Sequence, residues 1–217
     1  MKFYYIEGLN KDVYYHASDK KFDYFKPNYE GVHISDTYQG AIEVAQDRLR
    51  DTDDIYVYTV TYNGTLKPLE LSGDIQCYSA SAIAELLLNK INGDDIWAST
   101  HQSKRLRRGG AEASWIPADK FTIGNDEFIN SINDERLAYL YDIYRNAGDV
   151  YLDDKDYDDK MVKYFMDLCG WISDNFGYNC ITYPLGESSK GATGILIFNA
   201  NKLKIEDIEE IKDFWSK

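Results

Sequence analysis

The segment IYVYTVTY, residues 55–62, constrains the fold more than any other part of the chain. It consists almost entirely of β-branched and aromatic residues, which fit the pleated and half-buried surface of a strand. Asn63 and Gly64, two turn-forming residues, follow it directly. The pattern predicts a β-strand that ends at this turn, and hence a protein with a β-sheet in its core.

Other strand patterns lie near the two ends of the chain. Residues 13–16 form a short β-type run, and VHIS, residues 32–35, alternates apolar with polar side chains. Close to the C-terminus, CITY (residues 180–183) and GILIF (residues 194–198) flank a loop rich in glycine and serine. These segments predict a β core whose strands come from both ends of the sequence.

Helices are predicted where apolar residues recur at helical spacing. The segment DTYQGAIEVAQDRL, residues 36–49, has Asp36 or Thr37 as its N-cap. Its apolar face consists of Ala41, Val44, Ala45 and Leu49. Residues 160–177 carry a second helical pattern. The C-terminal tail predicts a further helix, because four apolar residues recur there at intervals of three: Ile205, Ile208, Ile211 and Phe214.

The middle of the chain, at about residues 72–160, is organised differently. It carries two helix patterns, residues 79–91 and 135–148, on either side of a polar segment. No proline- or serine-rich linker bounds this region, so we expect an insertion rather than a separate domain. The sequence therefore predicts a single α+β domain over residues 1–217, with helices and a helical insertion around a β core.

The chain is acidic, with a formal net charge of −13 over 217 residues. This charge argues against broad, sequence-independent binding to nucleic acid, which requires a positive face. It is compatible with an acidic surface that occupies a basic partner. The main concentration of positive charge is a cluster of Lys104, Arg105, Arg107 and Arg108. We interpret this cluster as an exposed loop or as a contact with a phosphate-bearing ligand or target.

A metal site is not predicted. Asp154, Asp156 and Asp158 have the spacing of a calcium loop, but that loop also requires glycine at its sixth position and glutamate at its twelfth. Asp159 and Phe165 occupy those positions, so a solvated loop is expected. The three cysteines are far apart and the three histidines lack ligand spacing, which also argues against a zinc cluster or a disulfide framework.

Cytoplasmic localisation without a membrane span is expected. The N-terminal segment lacks the continuous apolar region of a signal peptide. No apolar run approaches the roughly 18 residues that a membrane helix requires. Common enzyme signatures, namely the G-x-S-x-G elbow, the P-loop and the dinucleotide fingerprint, are absent from the sequence.

Four segments in order carry a resemblance to a known family. They are VYYHASDKKFDYF, GVHISDTYQGAIEVA, IYVYTVTYNGTLKPLEL and GYNCITYPLGESSKGATGILIFNANKLKI. Together they resemble the ADP-ribosyltransferase-like domains of phage and mobile-element proteins, in the branch of diphtheria toxin and poly(ADP-ribose) polymerase. The resemblance covers residues 11–71 and 168–206. It implies a split, mainly antiparallel β core of the ADP-ribosyltransferase type.

The resemblance also implies an activity, the transfer of a single ADP-ribose from NAD⁺, without a metal, to a macromolecular acceptor. The acceptor would be a host protein or nucleic acid, and the protein a phage or mobile-element effector. Two alternatives stay open. One is a non-catalytic acidic interaction protein that blocks a host factor by binding it, and the other is simple hydrolysis of NAD⁺.

Residue roles follow from the same resemblance. His16 would bond a ribose hydroxyl of NAD⁺, and the backbone of Ala17, in place of the usual glycine, would hold the nicotinamide amide. Ser18 would belong to the same NAD⁺ site, and Ser35 and Tyr38 would form a wall for nicotinamide.

The catalytic carboxylate is assigned to Glu187, the sole acid between Asn179 and Asn201. A carboxylate beside the ribose would stabilise the positive charge that develops as the glycosidic bond breaks. His33 shares a strand face with Ser35 and is the rival histidine. The basic cluster at residues 104–108 would select the acceptor.

Overall fold

An open seven-stranded sheet organises the fold. The computed structural model describes residues 9, 11–27, 31–49, 54–70, 80–92, 96–98, 114–116, 132–148, 157–185 and 191–214. The sheet strands are β1 (Tyr14–Ser18), β2 (Val32–Ser35), β3 (Ile55–Tyr62), β4 (Pro68–Glu70), β7 (Cys180–Pro184), β8 (Thr193–Ile197) and β9 (Leu203–Ile211). A separate antiparallel pair consists of β5 (Ile96–Ala98) and β6 (Ser114–Ile116).

The strand order of the large sheet is β4-β7-β8-β2-β1-β3-β9. Its neighbours pair antiparallel, except for β4 and β7, which run parallel. The strands come from residues 14–70 and 180–211, the two ends of the sequence. The predicted α+β class with a mainly antiparallel sheet is therefore confirmed.

Four helices accompany the sheet in the described part of the chain: α1 (Tyr38–Arg48), α2 (Ala80–Asn92), α3 (Asp134–Gly148) and α4 (Tyr157–Phe176). Each falls within or around a segment whose apolar spacing predicted it. A short 3₁₀ helix, Ala200–Lys202, precedes β9. None of the helices in these ranges is long and apolar enough to cross a membrane.

The two faces of the sheet bury different side chains. On one face, α2, α3 and α4 pack in a single apolar cluster with Ile181, Tyr183 and Leu196. A smaller cluster joins α1 to Ile55 and Val57 of β3. Residues that alternate with these along the strands form the core of the opposite face. The sheet is thus buried on both sides over its central strands.

The C-terminal tail forms strand β9, so the predicted last helix is wrong. Eight register pairs join β9 to β3. The register shifts between Thr59 and Val60, which leaves Glu206 as a bulge residue. Because of this bulge, Ile205 and Ile208, three residues apart, both join the apolar cluster around Tyr58. The spacing of three thus matches a helix and a bulged strand equally well.

Candidate functional site

The sheet opens between β1 and β2. In the described residues, β1 pairs with β3 through five register pairs but with β2 through one, Tyr15 opposite Ser35. In regular antiparallel pairing, Ala17 would next lie opposite His33, but these two residues do not pair. The two strands therefore separate beyond Tyr15.

His16 lies at the point of separation. Its Nδ1 lies 2.7 Å from the backbone oxygen of His33 on β2. A carbonyl oxygen can only accept a hydrogen bond, so Nδ1 must carry the proton and donate it. The neutral imidazole then has Nε2 as its hydrogen-bond acceptor. A side-chain bond thus joins β1 to β2 where their backbone ladder has ended.

Three aromatic rings surround the imidazole of His16. The ring centroids of Phe25, Tyr58 and Phe22 lie 5.2, 5.9 and 6.0 Å from it. Phe22 also stacks on Tyr58, with centroids 4.2 Å apart and planes inclined by 11°. These contacts restrict the orientation of the imidazole, because aromatic pairs favour stacked or edge-to-face arrangements.

A cleft of about 660 Å³ occupies the opening. This volume lies within the range of small-molecule sites. Four of the five residues predicted to bind NAD⁺ line it: His16, Ala17, Ser18 and Ser35. The predicted apolar face of α1 lines it as well. Lining residues come from both faces of the sheet, because His16 packs with Tyr58 and Ala17 packs with α1.

Ser35 lines the cleft but is almost fully buried. Its hydroxyl oxygen accepts a hydrogen bond from the backbone N–H of Thr37, at 3.2 Å. Thr37 is the N-cap of α1 and accepts from the backbone N–H of Gly40, as its predicted role requires. A Cβ atom at Gly40 would lie 2.3 Å from the Ser35 oxygen. The missing side chain therefore allows the first turn of α1 to contact the end of β2.

Tyr38 is the fifth residue predicted to bind NAD⁺, and it is not among the residues that line the cleft. Its hydroxyl donates to Oε2 of Glu209 on β9, at 2.8 Å, and its ring packs edge-to-face on Tyr15. Desolvation raises the pKa of Tyr38 to about 12, with further contributions from the hydrogen bond to Glu209 and from its charge. In this structure Tyr38 joins α1 to β9.

Sequence reasoning missed the contact between His33 and Tyr183. Both residues line the cleft, and Nδ1 of His33 lies 2.7 Å from the hydroxyl of Tyr183. Tyr183 of β7 lies opposite Gly194 of β8, where an added Cβ would meet the tyrosine ring at 2.3 Å. The ring thus crosses β8 above a residue without a side chain. Glycine inside a buried strand was the available signal, since it often marks close approach by another group.

Asp36 fixes the beginning of β8 against the end of β2. Its Oδ1 accepts from the backbone N–H of Thr193 at 2.7 Å, and its own N–H donates to the Thr193 carbonyl at 3.1 Å. The ammonium group of Lys11 bonds both the backbone oxygen and Oδ2 of Asp36. The chain at Thr193 is therefore held against the residue that follows Ser35 of β2.

The remaining predicted site residues lie outside the described residues: Glu187, Lys104, Arg105, Arg107 and Arg108. Their assignments stay predictions. Within the described ranges, no group of three or more histidine, cysteine, aspartate or glutamate residues is placed to hold a metal ion. Cys169 and Cys180 are buried thiols.

The cleft combines two histidine side chains, strands that pair at one register position and apolar walls. This arrangement is suited to an elongated ligand with both hydroxyl groups and flat rings. In comparisons with known proteins, no family model, no curated protein and no solved structure matches this chain.

Proposed function

We propose that the protein is a mono-ADP-ribosyltransferase that binds NAD⁺ in the cleft between β1 and β2 and transfers ADP-ribose to a macromolecular acceptor. One observation carries the proposal. His16, Ala17 and Ser18 were assigned to NAD⁺ from one sequence segment and Ser35 from a second, and all four line this cleft. The β core of the ADP-ribosyltransferase type is part of the same proposal, since the strands separate where the ligand would enter.

The polar groups at the opening are suited to bind a ribose hydroxyl and the nicotinamide amide of NAD⁺. The imidazole of His16 donates from Nδ1 to the His33 carbonyl. In its neutral form Nε2 is an acceptor, and we assign this nitrogen to a ribose hydroxyl of NAD⁺. The His33 carbonyl faces β1, and Ala17 would lie opposite it in a continued ladder. Alternate residues of a strand direct their backbone groups to the same neighbour. The N–H and C=O of Ala17 are therefore expected to face the opening, where an amide ligand can bond both.

In the proposed reaction, the bond between nicotinamide and ribose breaks and positive charge develops on the ribose. Glu187 is the carboxylate that we assign to stabilise this charge, and a nucleophilic group of the acceptor then bonds the ribose carbon. The proton of the acceptor is released, and nicotinamide leaves with the bonding electrons. A fixed negative charge at such a position acts mainly on the transition state.

The decisive experiment is incubation of the protein with NAD⁺, labelled in its adenylate portion, and a cell lysate. We expect a labelled macromolecule, together with release of nicotinamide. The Glu187→Gln variant should bind NAD⁺ but lose turnover by about 100- to 1,000-fold, the usual effect of removing a preorganised electrostatic group. Glu85→Gln, a change on α2, is the matched control and should retain the parent rate.

Each alternative has its own outcome in this assay. Release of nicotinamide without any labelled macromolecule would identify an NAD⁺ hydrolase. Absence of both products, with capture of a cellular partner by the unreacted protein, would favour the non-catalytic interaction protein. Turnover by Glu187→Gln at the parent rate would remove the catalytic assignment.

A further inference from the structure

Three lysines line the cleft. Lys20, Lys21 and Lys26 belong to the segment that follows β1, and all three are exposed. The described lining contains one carboxylate, that of Asp19. Three lysines and one aspartate give this lining a formal excess of two positive charges, in a chain whose net charge is −13. The cleft is therefore locally basic in an acidic protein.

Two acids, Asp19 and Asp23, belong to the same segment as the three lysines. In the described part of the chain, no carboxylate forms an ion pair with Lys20, Lys21 or Lys26. The ammonium group of Lys26 lies 5.6 Å from the ring centroid of Tyr24, which leaves its charge intact. Uncompensated ammonium groups beside a concave, partly apolar site attract an anionic ligand.

The segment that carries the lysines is held in place by Tyr58. The phenol of this fully buried residue accepts from the backbone N–H of Phe22 and donates to the backbone oxygen of Lys20, both at 2.9 Å. The Phe22 ring stacks on Tyr58 as well. At the other end of this turn, the Ser18 hydroxyl oxygen accepts from the N–H of Lys20, at 3.1 Å. These three hydrogen bonds fix the backbone around the first two lysines.

We propose that residues 19–26 form a preorganised phosphate-binding loop, with Lys20, Lys21 and Lys26 as its cationic groups and Tyr58 as its positioning residue. The ligand class is a small phosphate ester, because the lysines border a concave cleft with aromatic walls. A preordered loop binds more tightly, since less conformational freedom is lost. The assignment of the NAD⁺ diphosphate as the natural occupant rests on the proposed function, whereas phosphate binding itself does not.

The test is calorimetric titration of the full chain with ADP, AMP and adenosine. We expect binding to weaken from ADP to AMP to adenosine, and to weaken further with added salt. Replacement of all three lysines by glutamine should weaken ADP binding by about tenfold or more, since charge-assisted bonds to phosphate are roughly twice as strong as neutral ones. Adenosine binding should be unchanged. The matched control replaces three exposed lysines outside the lining: Lys67, Lys202 and Lys212.

Tyr58→Phe tests the positioning role. It retains the ring but removes both hydrogen bonds, so the Phe22 amide should exchange with solvent faster and ADP affinity should fall relative to adenosine affinity. The ratio of the two affinities is insensitive to any fraction of unfolded protein. Equal ADP binding by the parent and the triple lysine variant, or no binding of ADP by the parent, would overturn the proposal. If ADP binding depends on the lysines but the protein does not turn over NAD⁺, the phosphate-binding loop is supported and the proposed transferase activity is excluded.

Discussion

Two single residues, His16 and Gly194, determine how the cleft is built. His16 supplies the bond that joins the separating strands, through its Nδ1 and the His33 carbonyl. Gly194 leaves the space that the Tyr183 ring occupies on its way to His33. In both cases the function of the residue depends on atoms of another strand. Substitutions of Gly194 therefore test the packing of the cleft, and substitutions of His16 test its ligand binding.

His16→Asn and His16→Gln should differ in ligand binding. The amide nitrogen of asparagine can occupy the position of Nδ1 and donate there, whereas the amide oxygen of glutamine reaches the position of Nε2 and can accept there. We expect His16→Asn to keep the bond to His33 and near-parent thermal stability but to lose the stabilisation that NAD⁺ provides by mass action. His16→Gln should retain part of that stabilisation. Parent-like thermal shifts with NAD⁺ in both variants would show that His16 does not contact the ligand.

Gly194→Ala should destabilise the fold, because its Cβ would lie 2.3 Å from the Tyr183 ring. Overpacking of this kind typically lowers the free energy of unfolding by about 1–3 kcal/mol. Gly170→Ala is the control: this glycine lies in α4 with no atom within 4 Å of an added Cβ, so alanine should be neutral or stabilising. Urea denaturation measures both. Adding Tyr183→Ala to Gly194→Ala should relieve part of the packing strain. Equal free energies of unfolding for Gly194→Ala and Gly170→Ala would contradict the close contact.

At the level of secondary structure elements, α1 has one end on the cleft and a side-chain link to the far edge of the sheet. Its N-terminus is capped by Thr37 and lies against the end of β2. From its first turn, Tyr38 reaches Glu209 of the edge strand β9. The position of α1, which supplies an apolar wall of the cleft, is thus coupled to the docking of β9.

The link between Tyr38 and Glu209 predicts a dependence of stability on pH. An unfolded tyrosine titrates near pH ~10, whereas burial and Glu209 raise the pKa of Tyr38 to about 12 in the folded chain. The native state therefore keeps this proton where the unfolded state releases it. The contribution of Tyr38 is fully present below pH ~10 and is lost as the pH rises towards about 12.

Tyr38→Phe should accordingly make urea stability fall less steeply between pH ~10 and about 12 than in the parent. Burial also raises the pKa of Tyr14 and Tyr58, so both proteins should lose stability in this range, and the difference between their slopes reports Tyr38. Tyr144→Phe, at an exposed position of α3, is the control and should match the parent. Parallel slopes for Tyr38→Phe and the parent would show that the phenol does not hold its proton in the fold.

On the scale of the whole molecule, the cleft lies where the two ends of the sequence meet. Strand β2 pairs with β1 only at its end, and with β8, from the C-terminal part, along all four of its residues. Asp36 and Thr193 join the same two segments by side-chain and backbone bonds. The described lining of the cleft carries three lysines and one aspartate, in a chain whose net charge is −13. The site is therefore a product of long-range pairing rather than of one continuous motif.

Several secondary structure elements could be predicted because their sequence patterns are local. The strand at residues 55–62 matches its predicted span, because its β-branched and aromatic residues specify an extended, half-buried segment. The cap and apolar face of α1 were also predictable, since an N-cap and helical spacing are defined within a few residues. His16, Ala17, Ser18 and Ser35 were assigned to one ligand site from the family resemblance, and all four line one cleft.

Other features depend on partners distant in sequence and could not be predicted from local patterns. Residues 203–211 became a strand because pairing with β3 satisfies their backbone, and the bulge at Glu206 allows a spacing of three to fill one face. The opening between β1 and β2, and the meeting of Tyr183 with His33 above Gly194, are likewise set by register and strand order. Periodicity indicates which residues are buried, but it does not indicate which residues they pack against. The cleft of this protein is defined by those packing partners.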